Sequence, residues 1–299
     1  MLPWTGVWMK MEAPALSDPK RPRLSVIIPT LDAHRGGAVP RLVESIKRQT
    51  YRDFELCLVK GVSPQGKAIN QGADQTHGDI LLILDDDSCL ADETVFQRLV
   101  DALDADATIG MAGASIVAAP DASPFQRRAA EQFPRFNMPV VDRVTDSDFA
   151  CHGCCAIPRR VFEQAGRERE DLIRGLDPDL RLRIRAAGYR VVLAPNARIH
   201  HPLPDGWRSL LRTFFRNGYG SAYARKFQPE SVCETSETLD DAGFQPKTSL
   251  PYRMARFPIR LARALVRGQG MRFAAYCAYA CGYVWGMATA KEEAVGRGS

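Results

Sequence analysis

Short apolar bursts alternate with segments whose apolar residues recur at helical spacing, and this alternation sets the expected architecture. "RLSVIIPT" (23–30), "FELCLV" (54–59), "DILLIL" (79–84) and "IGMAGASIVAA" (109–119) are β-branched or leucine-rich runs closed by turn residues or charge, which reads as buried strands. Between them, 38–50 places Leu42, Val43, Ile46 and Gln49 on one helical face, and 66–78 suits a short helix ending near Gly78. Residues 92–105 place Val95, Leu99 and Leu103 at helical spacing, with Asp92 as the expected N-cap. Further on, 154–166 reads as a strand then a helix, 177–188 as a helix with Leu180, Ile184 and Ala187 inward, 189–195 as a strand, and 207–227 as a basic amphipathic helix. Strands alternating with helices predict an α/β fold, a mixed and mainly parallel sheet with helices on both faces. In such sheets ligands bind beyond the carboxyl ends of the strands.

The ends of the chain differ from this core. Residues 1–22 form a Pro-bearing lead-in without a continuous apolar stretch or cleavage site, so the sequence implies a cytoplasmic setting; the "LPWTG" within it lies far from the C-terminal position of a sorting signal. Residues 23–227 form the expected α/β domain, 228–252 a polar loop, and 253–299 a C-terminal helical segment. That segment sets Arg253, Arg256, Arg260, Arg263 and Arg267 among apolar residues, then continues into "MRFAAYCAYACGYVWGMATA" (271–290). A basic amphipathic stretch feeding an apolar one suits the inner face of a membrane, with a full span by 271–290 and a helix simply packed on the domain as the alternatives.

Composition narrows the chemistry only a little. With 299 residues, 45% hydrophobic, and a net charge of +5, the chain is globular and mildly basic, which suits an anionic substrate and gives no ground for nucleic-acid binding. Eight scattered cysteines are not a disulfide framework. Cys151 and Cys154 form a C-x-x-C, but no second pair accompanies them and His152 lies between them, so structural thiols outweigh a zinc site.

The unusual feature is "LLILDDD", where a buried strand runs into Asp85, Asp86 and Asp87. Adjacent carboxylates repel, and hard oxygen ligands select Mg2+ or Mn2+. In extended chain Asp85 and Asp87 share a side, and a cation held there would offset charge on a departing diphosphate.

Read in order, "LSVIIPT", "SIKRQTYRDFEL", "AINQGADQTHGDILLILDDD" and "GLDPDLRLRIRAAGYRVVLAPNARIHH" resemble the inverting family 2 glycosyltransferases of GT-A fold, over roughly residues 23–220. The resemblance implies a metal-dependent glycosyltransferase moving a sugar from a nucleotide-sugar donor to a saccharide or lipid-linked acceptor, for a cell-surface polysaccharide. It implies Asp85 and Asp87 on Mn2+ or Mg2+ and the donor diphosphate, with Asp86 also among the nucleotide-sugar-binding residues. Pro29, Thr30, Asp32 and Lys60 would lie against the nucleotide, and Asn70 and Gly72 near the donor. Asp177 would be the general base with Asp179 as the alternative, and Arg183 a phosphate contact. His201, or else His200, would be a metal ligand, and His152 and Arg159 would line the acceptor side. Two departures stand out: "LVKGVSPQG" replaces the acidic base-reading motif after the second strand, and Leu176 replaces the glutamate before Asp177. The rival readings are a non-catalytic binding protein of the same fold and a sugar-nucleotide pyrophosphorylase, whose Gly-rich loop "PTLDAHRGGAVPRL" does not supply.

Overall fold

The computed structural model describes residues 21–172, 174–229 and 250–292. In chain order the elements are β1 (Leu24–Thr30), α1 (Ala38–Lys47), β2 (Phe54–Lys60), α2 (Gln65–Gln75), β3 (Ile80–Ile83), β4 (Cys89–Leu90), α3 (Val95–Ala105) and β5 (Ile109–Val117). Then come α4 (Pro124–Gln132), β6 (Thr145–Asp146), β7 (Cys155–Pro158), α5 (Arg159–Gln164), α6 (Leu176–Ala186), β8 (Arg190–His200), α7 (Trp207–Phe227), α8 (Leu250–Val266) and α9 (Gly270–Thr289). The expected lead-in and polar loop lie almost wholly outside the described residues.

Among the described residues the strands form one sheet in the order β2-β1-β3-β7-β5-β8-β4, with β6 also on β8. β1, β2, β3, β5 and β8 run one way and β4, β6 and β7 the other, so the sheet is mixed and mainly parallel as expected. The insertion of β7 antiparallel between β3 and β5 was not legible in the strand–helix alternation. It carries the segment ahead of β7, containing His152, to the carboxyl end of β3, because Cys155 pairs with Ile83.

Both sheet faces are covered. Val26, Ile28, Leu82 and Leu84 pack with Leu42, Phe96 and Leu99 of α1 and α3 on one side. Ile27, Leu81 and Ile83 pack with Ile69, Phe162, Leu180 and Ile184 of α2, α5 and α6 on the other. This two-sided burial explains why β1 and β3 read as continuous apolar runs instead of alternating ones. β8 is longer than expected, running past Pro195 to His200. Its register against β5 jumps between Gly113↔Leu193 and Ser115↔Arg198, and Asn196 takes up the irregularity at φ 55°.

Two expectations fail locally. The cap of α3 is not Asp92 but Thr94, and Asp92 instead accepts from Thr94 N (3.0 Å) and Oγ1 (2.8 Å) and pairs with Arg98 and Arg198. Burial opposes its ionisation, but these donors outweigh burial and hold its carboxyl at about 2. α4 was missed, although Ser123 and Gln126 close a reciprocal capping box at its start.

The tail is a folded part of the molecule. Phe133, Leu210, Met271 and Ala275 form a third cluster joining α4, α7 and α9. α7 and α9 meet through glycines: a Cβ on Gly218 would lie 2.0 Å from the Tyr279 carbonyl oxygen, and one on Gly282 would lie 2.0 Å from that of Phe215. Only glycine allows backbones this close. No helix among the described residues is long and apolar enough to cross a membrane.

Candidate active site at the carboxyl edge of the sheet

β3 delivers the aspartates. Leu84 extends its ladder by one bond, donating its N–H to the Ile27 carbonyl (3.0 Å), and Asp85 N then donates to the His152 carbonyl (2.9 Å). β8 ends at the same edge, where His200 pairs with Cys89 of β4, and the chain turns so that His201 faces the aspartates. Asp85, Asp87 and His201 bring one ligand atom each to within 4.8 Å of one another, a possible metal-binding group. His200 is excluded because it faces the other way, with Nδ1 3.2 Å from the Val117 carbonyl.

The donor set fits a divalent cation. Asp87 Oδ1 is buried and accepts no well-formed hydrogen bond, and His201 Nε2 lies 3.1 Å from it. Burial would raise the Asp87 carboxyl, but His201 and then Arg35 outweigh it and keep it below the ordinary aspartate range. Asp85 shifts the other way: burial, then the negative charge of Asp177, raises it, while Gln65 Nε2 donates to its Oδ1 (2.8 Å). Two carboxylates and an imidazole that converge on one point are a donor set that a divalent cation can bridge.

Asp177 opens α6 and is held from behind. The His152 N–H donates to Asp177 Oδ1 (2.6 Å), and the His152 ring stands between two carboxylates, Glu168 (Nε2–Oε1, 2.8 Å) and Asp177 (Nδ1–Oδ1, 3.3 Å). Burial opposes charging of the His152 ring, but Asp177 and Glu168 outweigh it and lift it to about 10, so it is an imidazolium. Burial would raise Asp177 as well, but His152 and then Arg181 hold it below the usual aspartate range. Asp177 thus stays ionised, and with 35% of its side chain exposed it remains open to a proton donor. His152 was expected on the acceptor side; its side chain is 2% exposed and acts from beneath Asp177.

Several other expected site residues have structural roles. Asp179 is buried against Arg183 (2.7 Å), and Arg183 also donates to the Ala165 and Arg167 carbonyls, so neither faces the cleft. Asn70 is buried and spends its amide on the backbone of Glu168 (2.9 and 3.0 Å) and on Glu170 (3.0 Å). Gly72 lets α2 approach the sheet, since a Cβ there would lie 2.5 Å from Ile27 Cγ2. Arg159 follows β7 to the opposite edge and donates to the carbonyls of Ala73, Thr76 and Gly78 at the end of α2. That edge is remote from Asp85, so Arg159 is not an acceptor-side residue.

The nucleotide-side candidates end β1 and β2 at the same edge as the aspartates, where Gly61 N donates to the Thr30 carbonyl (2.9 Å). Pro29 is buried, the Thr30 hydroxyl accepts from Ala33 N (3.2 Å), and Lys60 is exposed. Asp32 shapes the turn, accepting from His34 N (2.8 Å) and Arg35 N (2.7 Å). Asp86 is buried beneath Arg35, which also pairs with Asp87. Sequence reasoning missed Arg35, Gln65 and Glu168. The only signal for Glu168 was a charged run, "GRERED", with nothing to mark one member as buried.

A family described as "Glycosyltransferase like family 2" matches residues 22–220. No curated protein matches the chain. Among solved structures, the mannosyltransferase PcManGT from Pyrobaculum calidifontis, in complex with GDP-Man and Mn2+, superposes with a TM-score of 0.53 at 18% identity, over 94% of this chain and 91% of that one. GalNAc-T7 with UDP, GalNAc and Mn2+ gives a TM-score of 0.48 at 15% identity, over 80% of this chain and 58% of that one. The sheet order, the aspartates at its carboxyl edge and the family match agree: the chain is a transferase of the GT-A fold and belongs to the family 2 glycosyltransferases.

Proposed function

We propose that the protein is an inverting, metal-dependent glycosyltransferase whose catalytic domain spans residues 23–227. The observation that carries this reading is the pairing of two unlike carboxylate environments. Asp85 and Asp87 converge with His201 on one point, while Asp177 is kept ionised and open beside them. Asp85, Asp87 and His201 would hold a divalent cation, whose positive charge would stabilise the leaving diphosphate. Mn2+ is favoured over Mg2+ because an imidazole belongs to the donor set, and PcManGT holds Mn2+. Asp177 takes the proton of the acceptor hydroxyl as its oxygen bonds to the anomeric carbon. The bond from that carbon to the diphosphate breaks, the electron pair leaves with the diphosphate, and one in-line displacement inverts the centre. His152 fixes the Asp177 carboxylate throughout and stabilises its charge. Pro29, Thr30 and Lys60 line the edge where the nucleotide would lie.

The test is a donor panel: purified protein, each common sugar nucleotide, Mn2+ or Mg2+, a membrane extract as acceptor source, and nucleoside diphosphate release as readout. Metal-dependent release from one donor is expected. Calorimetric binding of a nucleoside diphosphate with no release from any donor would instead mark a non-catalytic binding protein.

The acceptor we propose is a saccharide or a lipid-linked saccharide at the inner face of the cell membrane, for a cell-surface polysaccharide. Support comes from the tail. Residues 250–290 contain no Asp or Glu. Met254, Ile259, Leu265 and Val266 of α8 and Val284, Trp285 and Met287 of α9 are exposed, with Arg263 and Arg267 exposed among them. Basic side chains beside exposed apolar ones match an anionic lipid surface. The protein should sediment with vesicles containing phosphatidylglycerol, less so at high salt, and Ile259→Glu with Leu265→Glu should abolish this. Equal binding to purely zwitterionic vesicles would exclude the electrostatic part.

A further inference from the structure

The turn between β1 and α1 is held in an uncommon backbone shape. Ala33, Arg35, Gly36 and Gly37 have φ of 61°, 42°, 61° and 89°. For Ala33 and Arg35 this region is unfavourable, and such geometry persists where the surroundings over-determine it. At Arg35 they do. Its N–H is taken by Asp32 Oδ1 (2.7 Å), and its guanidinium forks onto two consecutive aspartates, Nη1 to Asp86 and Nη2 to Asp87. The two arms differ in what they touch. Asp86 has 8% of its side chain exposed and lies outside the Asp85–Asp87–His201 group, so it serves Arg35 alone among the side chains described around it. Asp87 is shared: Oδ2 faces Arg35 and Oδ1 faces His201. The Arg35 side chain is half exposed, at 51%, beside the candidate metal group.

We propose that Arg35 is a second cation for the donor diphosphate: Asp86 anchors one arm of the guanidinium, and a divalent cation that engages Asp87 displaces the other arm, which then takes a diphosphate oxygen. This rests on the reading of Asp85, Asp87 and His201 as a metal site. The planar fork suits the role, because guanidinium binds phosphate oxygens directionally and stays charged. It also gives the middle aspartate of the triplet a purpose. Asp86 lies outside the metal group, and its charge holds the Arg35 guanidinium in place instead of ligating a metal. The positive-φ turn holds the Arg35 backbone at the right height for both partners.

The experiment uses Mn2+ alone, followed by electron paramagnetic resonance, and inorganic pyrophosphate added to Mn2+-loaded protein, followed by calorimetry. Pyrophosphate removes any dependence on the nucleotide base. Relative to wild type, Arg35→Ala should bind Mn2+ alone several-fold more tightly, since a competitor for Asp87 is gone, and pyrophosphate about tenfold more weakly. Arg35→Lys, which keeps the charge but not the fork, should fall between them and guards against misfolding of the alanine variant. Asp86→Asn should weaken pyrophosphate as Arg35→Ala does, and the double variant should lose no more than either single one. Unchanged pyrophosphate affinity in Arg35→Ala, or unchanged or weaker Mn2+ affinity, overturns the role of Arg35. An Asp87→Ala protein that binds Mn2+ as wild type does overturns the metal-site reading itself, so the two failures are told apart.

Discussion

Replacing Asp177 by Asn is expected to lower turnover by about 10²–10⁴-fold while leaving the fold and Mn2+ binding in place. The amide keeps an Oδ1 that can still accept the His152 N–H, now 2.6 Å from Asp177 Oδ1, so the start of α6 should stay anchored. What is lost is the capacity to take a proton. Two comparisons sharpen the result. Asp179→Asn removes a buried partner of Arg183 outside the cleft, and should keep turnover within about threefold while lowering the melting temperature by several degrees. Glu168→Gln leaves Asp177 intact but removes one of the two charges on His152, and should reduce turnover less than Asp177→Asn. Steady-state rates at saturating donor, read beside thermal melts, separate these cases. If Asp177→Asn retains more than a tenth of wild-type turnover, another group is the base.

Asp87→Ala should weaken Mn2+ binding by at least about 100-fold, since ligand supports alone are commonly worth 10–100-fold. Metal-dependent diphosphate release should fall to background with it. Stability should change little. The substitution removes one of several crowded carboxylates, and Arg35 keeps Asp86 as a partner. His201 would lose its nearest carboxylate. His201→Ala should weaken Mn2+ less than Asp87→Ala, because the two carboxylates carry the charge that holds the ion. Paramagnetic titration of the three proteins gives the order directly; a His201 variant that binds like wild type would remove the imidazole from the site and with it the preference for Mn2+.

The layers of the fold were legible because two-sided burial writes itself as continuous apolar runs and one-sided burial as a helical stripe. β1, β3, α1 and α7 declare themselves in this way. What the pattern could not convey was direction. β7 is a four-residue strand like any other in sequence, and only its antiparallel pairing sends His152 to the reactive edge and Arg159 to the far one. Asp85 and Asp87 were recognisable because acidic residues at a strand end leave a local mark, whereas Asp177 and His201 were proposed only through the family resemblance. Asn70 and Arg183 matched motif positions, yet their partners lie on the 165–170 segment, which no spacing connects to them, and Asp179 is taken up by Arg183. Arg35 shows the converse. Its neighbours His34, Gly36 and Gly37 suggest a turn, and nothing in them reveals that the side chain closes over Asp86.

The peptide groups on either side of the His152 α-carbon meet the two halves of the reaction centre: the N–H holds Asp177 and the carbonyl holds the backbone of Asp85. One amino-acid unit is therefore the gauge that fixes how far the Asp177 carboxylate stands from the aspartates at the end of β3. A deletion or insertion at position 152 would alter it at once, even with every reactive side chain still present.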